Sequence, residues 1–290
     1  MGKFDGYYVK VTDKNNSVAV IFGKNKSKKT RSSFIQVITA DKAYNTVFDY
    51  SEFMVTKKPF SVTIGKNRFD EKGMTLNIEE PKIEANLTFT DFTPIRYDAM
   101  GFFRFFPFME CKHRVLCMNH EAAGSITIND EKMKFKNAKG YIEGDKGKSF
   151  PKRYFWSQCN LFAEEKNLSI MASVARIPYL SLRFTGNICI IHYNGKEYRL
   201  ATYRGSRAKV FTENKLVVKQ GRKLLEIDVL DTEKNRHDLY APNRGKMDRF
   251  IKETVITTVR YKFTIGKKVI FDVTSDNAAY EYSSVNQTLG

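Results

Sequence analysis

The sequence predicts an all-β protein with very little helix, built as an antiparallel barrel or sandwich, two of them at this length. Three observations predict it. Apolar and polar residues alternate with period two through much of the chain, most cleanly in Lys82–Thr90 (KIEANLTFT). β-Branched and aromatic residues crowd the same stretches, with 23 Phe and 15 Tyr among 290 residues, and turn residues break them at short intervals. A chain this rich in strands must hide its edges, and curling a sheet into a barrel does so.

The elements follow in order. Gly6–Val11 (GYYVKV) and Val18–Gly23 (VAVIFG) flank a turn at Asp13-Lys14-Asn15-Asn16. Ser33–Thr39, Thr46–Tyr50, Phe60–Gly65, Met74–Ile78 and Lys82–Thr90 continue the series. Ser125–Ile128 and Lys132–Phe135 are joined at Asn129-Asp130. Ile188–Tyr193, Asn194-Gly195 and Glu197–Tyr203 form a strong hairpin signal, because Asn-Gly supplies the positive φ of a type I′ turn. Leu216–Lys219 and Lys223–Val229 turn at Gly221-Arg222, and Thr254–Ile265 and Lys268–Thr274 close the list. The best helix candidate, Lys246–Glu253 after Pro242 and Gly245, is short. At ~150 residues per domain the length suggests about two domains. We place the boundary near residue 121, giving units 1–121 and 122–290.

Composition narrows the classes. With 42% hydrophobic and 28% charged residues the chain is globular and neither disordered nor collagen-like. No apolar run approaches the ~20 residues of a membrane span. Met1-Gly2-Lys3-Phe4-Asp5-Gly6 lacks both a signal-peptide stretch and the myristoylation pattern. Four cysteines in a chain this long do not make a disulfide framework, so reduced thiols and a cytoplasmic, membrane-associated at most, location are expected. The net charge of +17 favours anionic partners. Its densest cluster, Lys24, Lys26, Lys28, Lys29 and Arg31, reads as a solvated surface loop, with docking on anionic lipid as the sharper reading. No zinc-finger spacing, homeodomain-like helix or RNP-type aromatic motif is present, so no specific nucleic-acid partner is expected.

Three constellations carry chemistry. Cys111, His113, Cys117 and His120 superficially resemble a metal cluster, but an extended 114–118 segment would set Cys111 and Cys117 ~20 Å apart, beyond one ion. No metal is expected. Met100–Met109 (MGFFRFFPFM) packs Phe103, Phe105 and three other phenylalanines around Arg104 and Pro107; it is a barrel plug, a pocket rim or a membrane-touching loop. Gly140–Phe162 (GYIEGDKGKSFPKRYFWSQCNLF) holds Tyr141, Glu143 and Asp145, then the only tryptophan. Alternation puts Tyr154, Trp156 and Gln158 on one face and Phe155, Ser157 and Cys159 on the other. The first face is taken to look into a barrel interior. No G-x-S-x-G elbow, P-loop or H-E-x-x-H is found.

That third block resembles the signature of the tocopherol cyclases, the plant and cyanobacterial vitamin E enzymes, and of their bacterial relatives. GYYVKV, MGFFRFFPFMECKH with VLCMNHEAAGSI, HYNGKEYRLATYRG and LYAPNRGKM agree in order, so the likeness spans most of the chain. One departure stands out: Asp145-Lys146-Gly147 occupies the place where the plant enzymes read Asn-Trp-Gly. The resemblance implies two lipocalin-like antiparallel β-barrel or half-barrel domains packed together, and closure of a prenylated hydroquinone to a chromanol, with no cofactor. Such chemistry needs an acid to protonate an alkene, a shelter for the cation and a held phenol oxygen. Asp145 or Glu143 is then the expected acid, with His113 and His120 as reserve acid/base groups. Tyr141, Tyr154, Trp156, Gln158, Asn160, Phe103 and Phe105 are the expected substrate-binding residues. The alternative is a non-catalytic lipocalin-like carrier of a lipophilic isoprenoid, quinone or fatty ligand.

Overall fold

The computed structural model describes residues 2–107, 109–179 and 182–284. Phe108 of the phenylalanine run lies outside them. The first eleven strands are β1 (Lys3–Thr12), β2 (Ser17–Lys26), β3 (Arg31–Thr39), β4 (Ala43–Phe48), β5 (Phe53–Lys57), β6 (Phe60–Ile64), β7 (Asn67–Asp70), β8 (Gly73–Ile78), β9 (Ile83–Thr93), β10 (Cys111–Ile128) and β11 (Glu131–Gly147). They form one antiparallel sheet in the order β4-β3-β2-β1-β11-β10-β9-β8-β7-β6-β5. The remaining strands are β12 (Tyr154–Cys159), β13 (Leu168–Tyr179), β14 (Leu182–Tyr193), β15 (Lys196–Ala201), β16 (Arg207–Phe211), β17 (Lys215–Gln220), β18 (Lys223–Val229), β19 (His237–Asn243), β20 (Lys246–Ile265) and β21 (Lys268–Ser283). These form a second sheet, β15-β14-β13-β12-β21-β20-β18-β17-β16, with β19 paired to β20.

Local chemistry sets the turns. Asp13 Oδ1 accepts from the backbone N–H groups of Asn15 and Asn16, which closes the β1–β2 hairpin. Asn194 and Gly195 both take positive φ, 48° and 74°, as the type I′ turn between β14 and β15 requires. β9 buries every second residue from Ile83 to Phe89, the pattern of a strand with one wet face.

Each sheet curls around its own core. In the first, Phe22 of β2 meets Phe69 of β7 with ring centroids 5.1 Å apart, so strands from opposite ends of the sheet face one another. In the second, Phe155 packs on Tyr280, and Tyr198 on Phe263. Both interiors are filled with apolar side chains. A third apolar cluster, including Tyr8, Ile38, Tyr141, Trp156 and Leu239, lies where the outer faces of β1 and β11 meet those of β12, β20 and β19.

Several expectations change. Lys246–Glu253 is the start of β20, because pairing with β19 satisfies its backbone and the pattern alternates with period two. The basic cluster is split: Lys24 and Lys26 end β2 and Arg31 opens β3, while Lys28 and Lys29 lie in the loop of Ser27 to Thr30. Lys24 lies over the Phe53 ring, 4.7 Å from its centroid. Residue 121 falls inside β10, opposite Lys139, and the chain passes between the sheets between Gly147 and Tyr154. No described helix is long and apolar enough to cross a membrane.

Candidate active site

β11 carries Tyr141, Glu143 and Asp145 at alternate positions, so all three side chains leave the same face of the first sheet. Strand register brings two partners beside them: Tyr8 of β1 is opposite Glu143, and His113 of β10 is opposite Asp145. Glycines make the crowding possible. A Cβ at Gly144 would stand 2.5 Å from the carbonyl oxygen of Gly6, and one at Gly140 would run into the His120 ring.

The second sheet answers with its own row. Tyr154, Trp156 and Gln158 share one face of β12, while Phe155 and Cys159 enter the core behind it. Glu281 of β21 is directly opposite Trp156, and Glu253 of β20 is directly opposite Glu281.

The two faces enclose a cleft of about 180 Å³. Its walls are largely apolar, with Ile21, Met100, Phe103, Phe184, Leu239 and Ile251 among them. The hollow is therefore between the sheets. The expected barrel-interior pocket is corrected, because Phe22 and Phe69 in one sheet and Tyr261 and Phe263 in the other occupy those interiors.

Polar groups concentrate in one part of the cleft. Glu143 Oε2 accepts from the Tyr141 hydroxyl at 2.5 Å and from the Trp156 indole N–H at 3.1 Å. His113 Nδ1 is 3.1 Å from Asp145 Oδ1, and its Nε2 is 3.4 Å from Glu143 Oε2. The Cys111 thiol donates to Asp145 Oδ1 at 3.3 Å. Burial opposes a charge on His113, but Glu143 and Asp145 outweigh it and lift the imidazole to about 9. Burial lifts Glu143 to about 7 against the pull of His113 and of its two hydrogen-bond donors. Glu253 is lifted to about 8 by burial and by the Glu143 charge, with the Tyr8 hydroxyl and Lys10 opposing. Glu281 is held well above the carboxylate range by burial and by the negative charges of Asp145 and Glu143.

His113, Glu143 and Asp145 offer ligand atoms within 4.8 Å of one another, a spacing that would suit a divalent cation. In the structure the imidazole itself lies between the two carboxylates and supplies the positive charge there.

The sequence-derived residues separate into groups. His113, Glu143, Asp145, Tyr154, Trp156 and Phe103 line the cleft. Tyr141 lies behind Glu143 and holds it. Gln158 and Asn160 are buried away from the cavity wall; Asn160 donates to the Gly140 carbonyl at 2.8 Å. His120 is enclosed in the first sheet between Phe89 and Phe92, where burial drops its pKa to about 3. Phe105 is 71% exposed, beyond the rim that Phe103 forms. Lys146 alternates away from the acids, with Nζ 3.4 Å from Asp5. Sequence reasoning missed Tyr8, Glu253 and Glu281. A lone carboxylate inside an apolar strand run, as in AAYEYS, is the signal that marks Glu281.

The aromatic rim is anchored from the second sheet. Arg199 Nη1 donates to the carbonyls of Tyr97 and Asp98 at 3.0 Å, just before the 3₁₀ helix Gly101–Phe105. Phe103 then stacks on Phe184 at 6.1 Å.

The family model described as tocopherol cyclase-like matches residues 70–283. The chain is 27% identical over 119 residues to a probable chloroplastic tocopherol cyclase of Oryza sativa subsp. japonica, covering 40% of this chain and 25% of that protein. It is 27% identical over 109 residues to the chloroplastic tocopherol cyclase of Zea mays, covering 37% and 23%. The matched stretch is thus about a quarter of the length of these curated relatives. Among solved structures, CghA with Sch210972 superposes with a TM-score of 0.59 at 9% identity, covering 97% of this chain and 88% of that one. A putative AttH from Nitrosomonas europaea gives 0.56 at 11%, covering 98% and 92%. Kievitone hydratase from Nectria haematococca gives 0.54 at 14%, covering 98% and 90%. At these identities the likeness is one of fold, the lipocalin-like pair of curled sheets.

Proposed function

The chain belongs to the tocopherol cyclase-like family, and on that premise we propose that it is an acid-assisted isomerase that closes a ring in a prenylated hydroquinone or related isoprenoid phenol. One observation carries the reading: buried, ionisable carboxyls face an otherwise apolar cleft, within reach of an indole and a phenol. An apolar wall favours an isoprenoid chain over water. Positioned proton transfer contributes ~10²–10⁴-fold, and a ring beside a desolvated cation adds roughly 0.5–2 kcal/mol. Cyclisation moves one proton in and one out, so the cleft residues can complete it alone.

The cleft is smaller than the ~300–1,000 Å³ of pockets that swallow drug-sized ligands. A long isoprenoid tail would therefore leave along the rim, where Phe102 and Phe105 are exposed. The same rings and the chain's positive charge suit an anionic lipid surface as the source of such a ligand.

The test is incubation of purified protein with a series of prenylated hydroquinones. A chromanol isomer of unchanged mass supports the reading. Tight, saturable binding with every ligand recovered unchanged would replace it with that of a carrier.

A further inference from the structure

Glu281 has a setting unlike that of the acids the sequence singles out. Asp145 and Glu143 share His113, whose imidazolium compensates their charge. The charges that bear on Glu281 are those of Asp145 and Glu143, both negative. Its neighbour Glu253 is influenced by Lys10, but the Lys10 ammonium donates to the carbonyl of Asn277 at 2.8 Å. Both carboxyls are buried, at 7% and 3% exposure, both line the cleft, and each keeps an oxygen with no hydrogen-bond partner. Two carboxyls paired across neighbouring strands without a shared cation do not both ionise.

We propose that Glu281 is the acid that protonates the bound alkene, and that Glu253 and Tyr8 return its proton from Glu143. The inference rests on the cyclase reading of the same cleft and assigns its parts. The Glu281 O–H bond breaks as the alkene π pair forms a C–H bond with that hydrogen. This leaves a carboxylate on Glu281 and a tertiary carbocation near Trp156, the residue directly opposite Glu281. A lone pair of the phenol oxygen forms the C–O bond, and the phenol proton passes to the Glu143 carboxylate.

The return path follows register. Tyr8 is opposite Glu143 on the neighbouring strand, lines the same cleft as Glu253 and Glu281, and has a buried hydroxyl with no hydrogen-bond partner, free to turn between them. Its hydroxyl gives a proton to Glu253 as it takes one from Glu143. Glu253 passes one to Glu281, its cross-strand neighbour. No oxidant, reductant or added proton is consumed. Glu143 and His113 act as the base side of the site, and Glu281 as the acid side.

Infrared spectroscopy near neutral pH reads the donor without any ligand. Glu253, lifted to about 8, also holds its proton there, so Glu281 is read as a difference from wild type: the protonated-carboxyl C=O absorption should lose one component in Glu281→Gln and have that component shifted in Glu281→Asp. With a prenylated hydroquinone, Glu281→Gln should lower turnover at least ~10²-fold while leaving ligand affinity within about threefold. Glu281→Asp should retain measurable turnover, which guards against a folding defect in the amide variant. Protonated-carboxyl absorption in Glu281→Gln that is unchanged from wild type, or turnover within about threefold of wild type, overturns the assignment. A wild type with the Glu281 component but without turnover overturns the cyclase reading itself, and the donor role with it.

Discussion

Trp156 and Glu143 meet across the cleft, the indole N–H of the second sheet donating to a carboxylate oxygen of the first at 3.1 Å. The bond joins the two sheets at the point where the site is most polar. It also makes the only tryptophan of the chain a reporter of one carboxyl.

Trp156 emission should therefore titrate with Glu143. A fluorescence inflection near 7 is expected, set by the carboxyl that burial lifts to about 7. Glu143→Gln should abolish it. Trp156→Phe removes a donor from a buried acceptor and should cost roughly 1–3 kcal/mol in chemical denaturation.

Glu253 should make stability fall as pH rises. Its folded pKa of about 8 lies above the ordinary 4.5, so the folded state holds the proton more tightly. The penalty for burying it is absent below about 4.5, grows through the interval and is complete above about 8. Glu253→Gln, neutral at every pH, should match wild type near pH 5 and exceed it by on the order of a few kcal/mol near pH 9. Denaturant midpoints at the two pH values measure the difference.

The two histidines of β10 should behave differently. His113 compensates the buried Glu143 and the half-buried Asp145, so His113→Phe should destabilise by up to ~3–5 kcal/mol and move the Glu143 inflection upward. His120 has two buried, unpartnered ring nitrogens between phenylalanines, so His120→Leu should stay within ~1.5 kcal/mol of wild type and keep turnover. Calorimetry and the hydroquinone assay together check both.

Within the phenylalanine run, position decides effect. Phe103 lines the cleft and stacks on Phe184, whereas Phe105 is exposed with the Arg104 guanidinium over its ring. Phe103→Ala should weaken ligand binding by about tenfold or more, given ~1.5–3 kcal/mol for a buried aromatic side chain. Phe105→Ala should leave affinity for a detergent-solubilised ligand within about twofold. Isothermal titration distinguishes them.

Period two was enough to find most strands, and within Arg153–Leu161 it also predicted which side chains share a face. Tyr154 and Trp156 do line one surface; that Tyr141, Glu143 and Asp145 share another became visible only with the extent of β11. What alternation could not say is which side of a sheet is the core. Both faces of β12 are buried, so its pattern carries no contrast, and the indole face turned out to be the outer one. Glu253 was hidden for a related reason. The segment before it looked like a short helix until β19 supplied its pairing partner, a contact made by tertiary structure. Tyr8 sits in a strand buried almost throughout, where one more aromatic residue draws no notice.

The most direct test is cyclisation in heavy water. A prenylated hydroquinone turned over in D₂O should yield a chromanol with one carbon-bound deuterium, delivered by the cleft acid, and Glu281→Gln should suppress its formation. Recovery of unreacted ligand, or a cyclised product with no carbon-bound deuterium, would contradict an acid-driven ring closure between the two sheets.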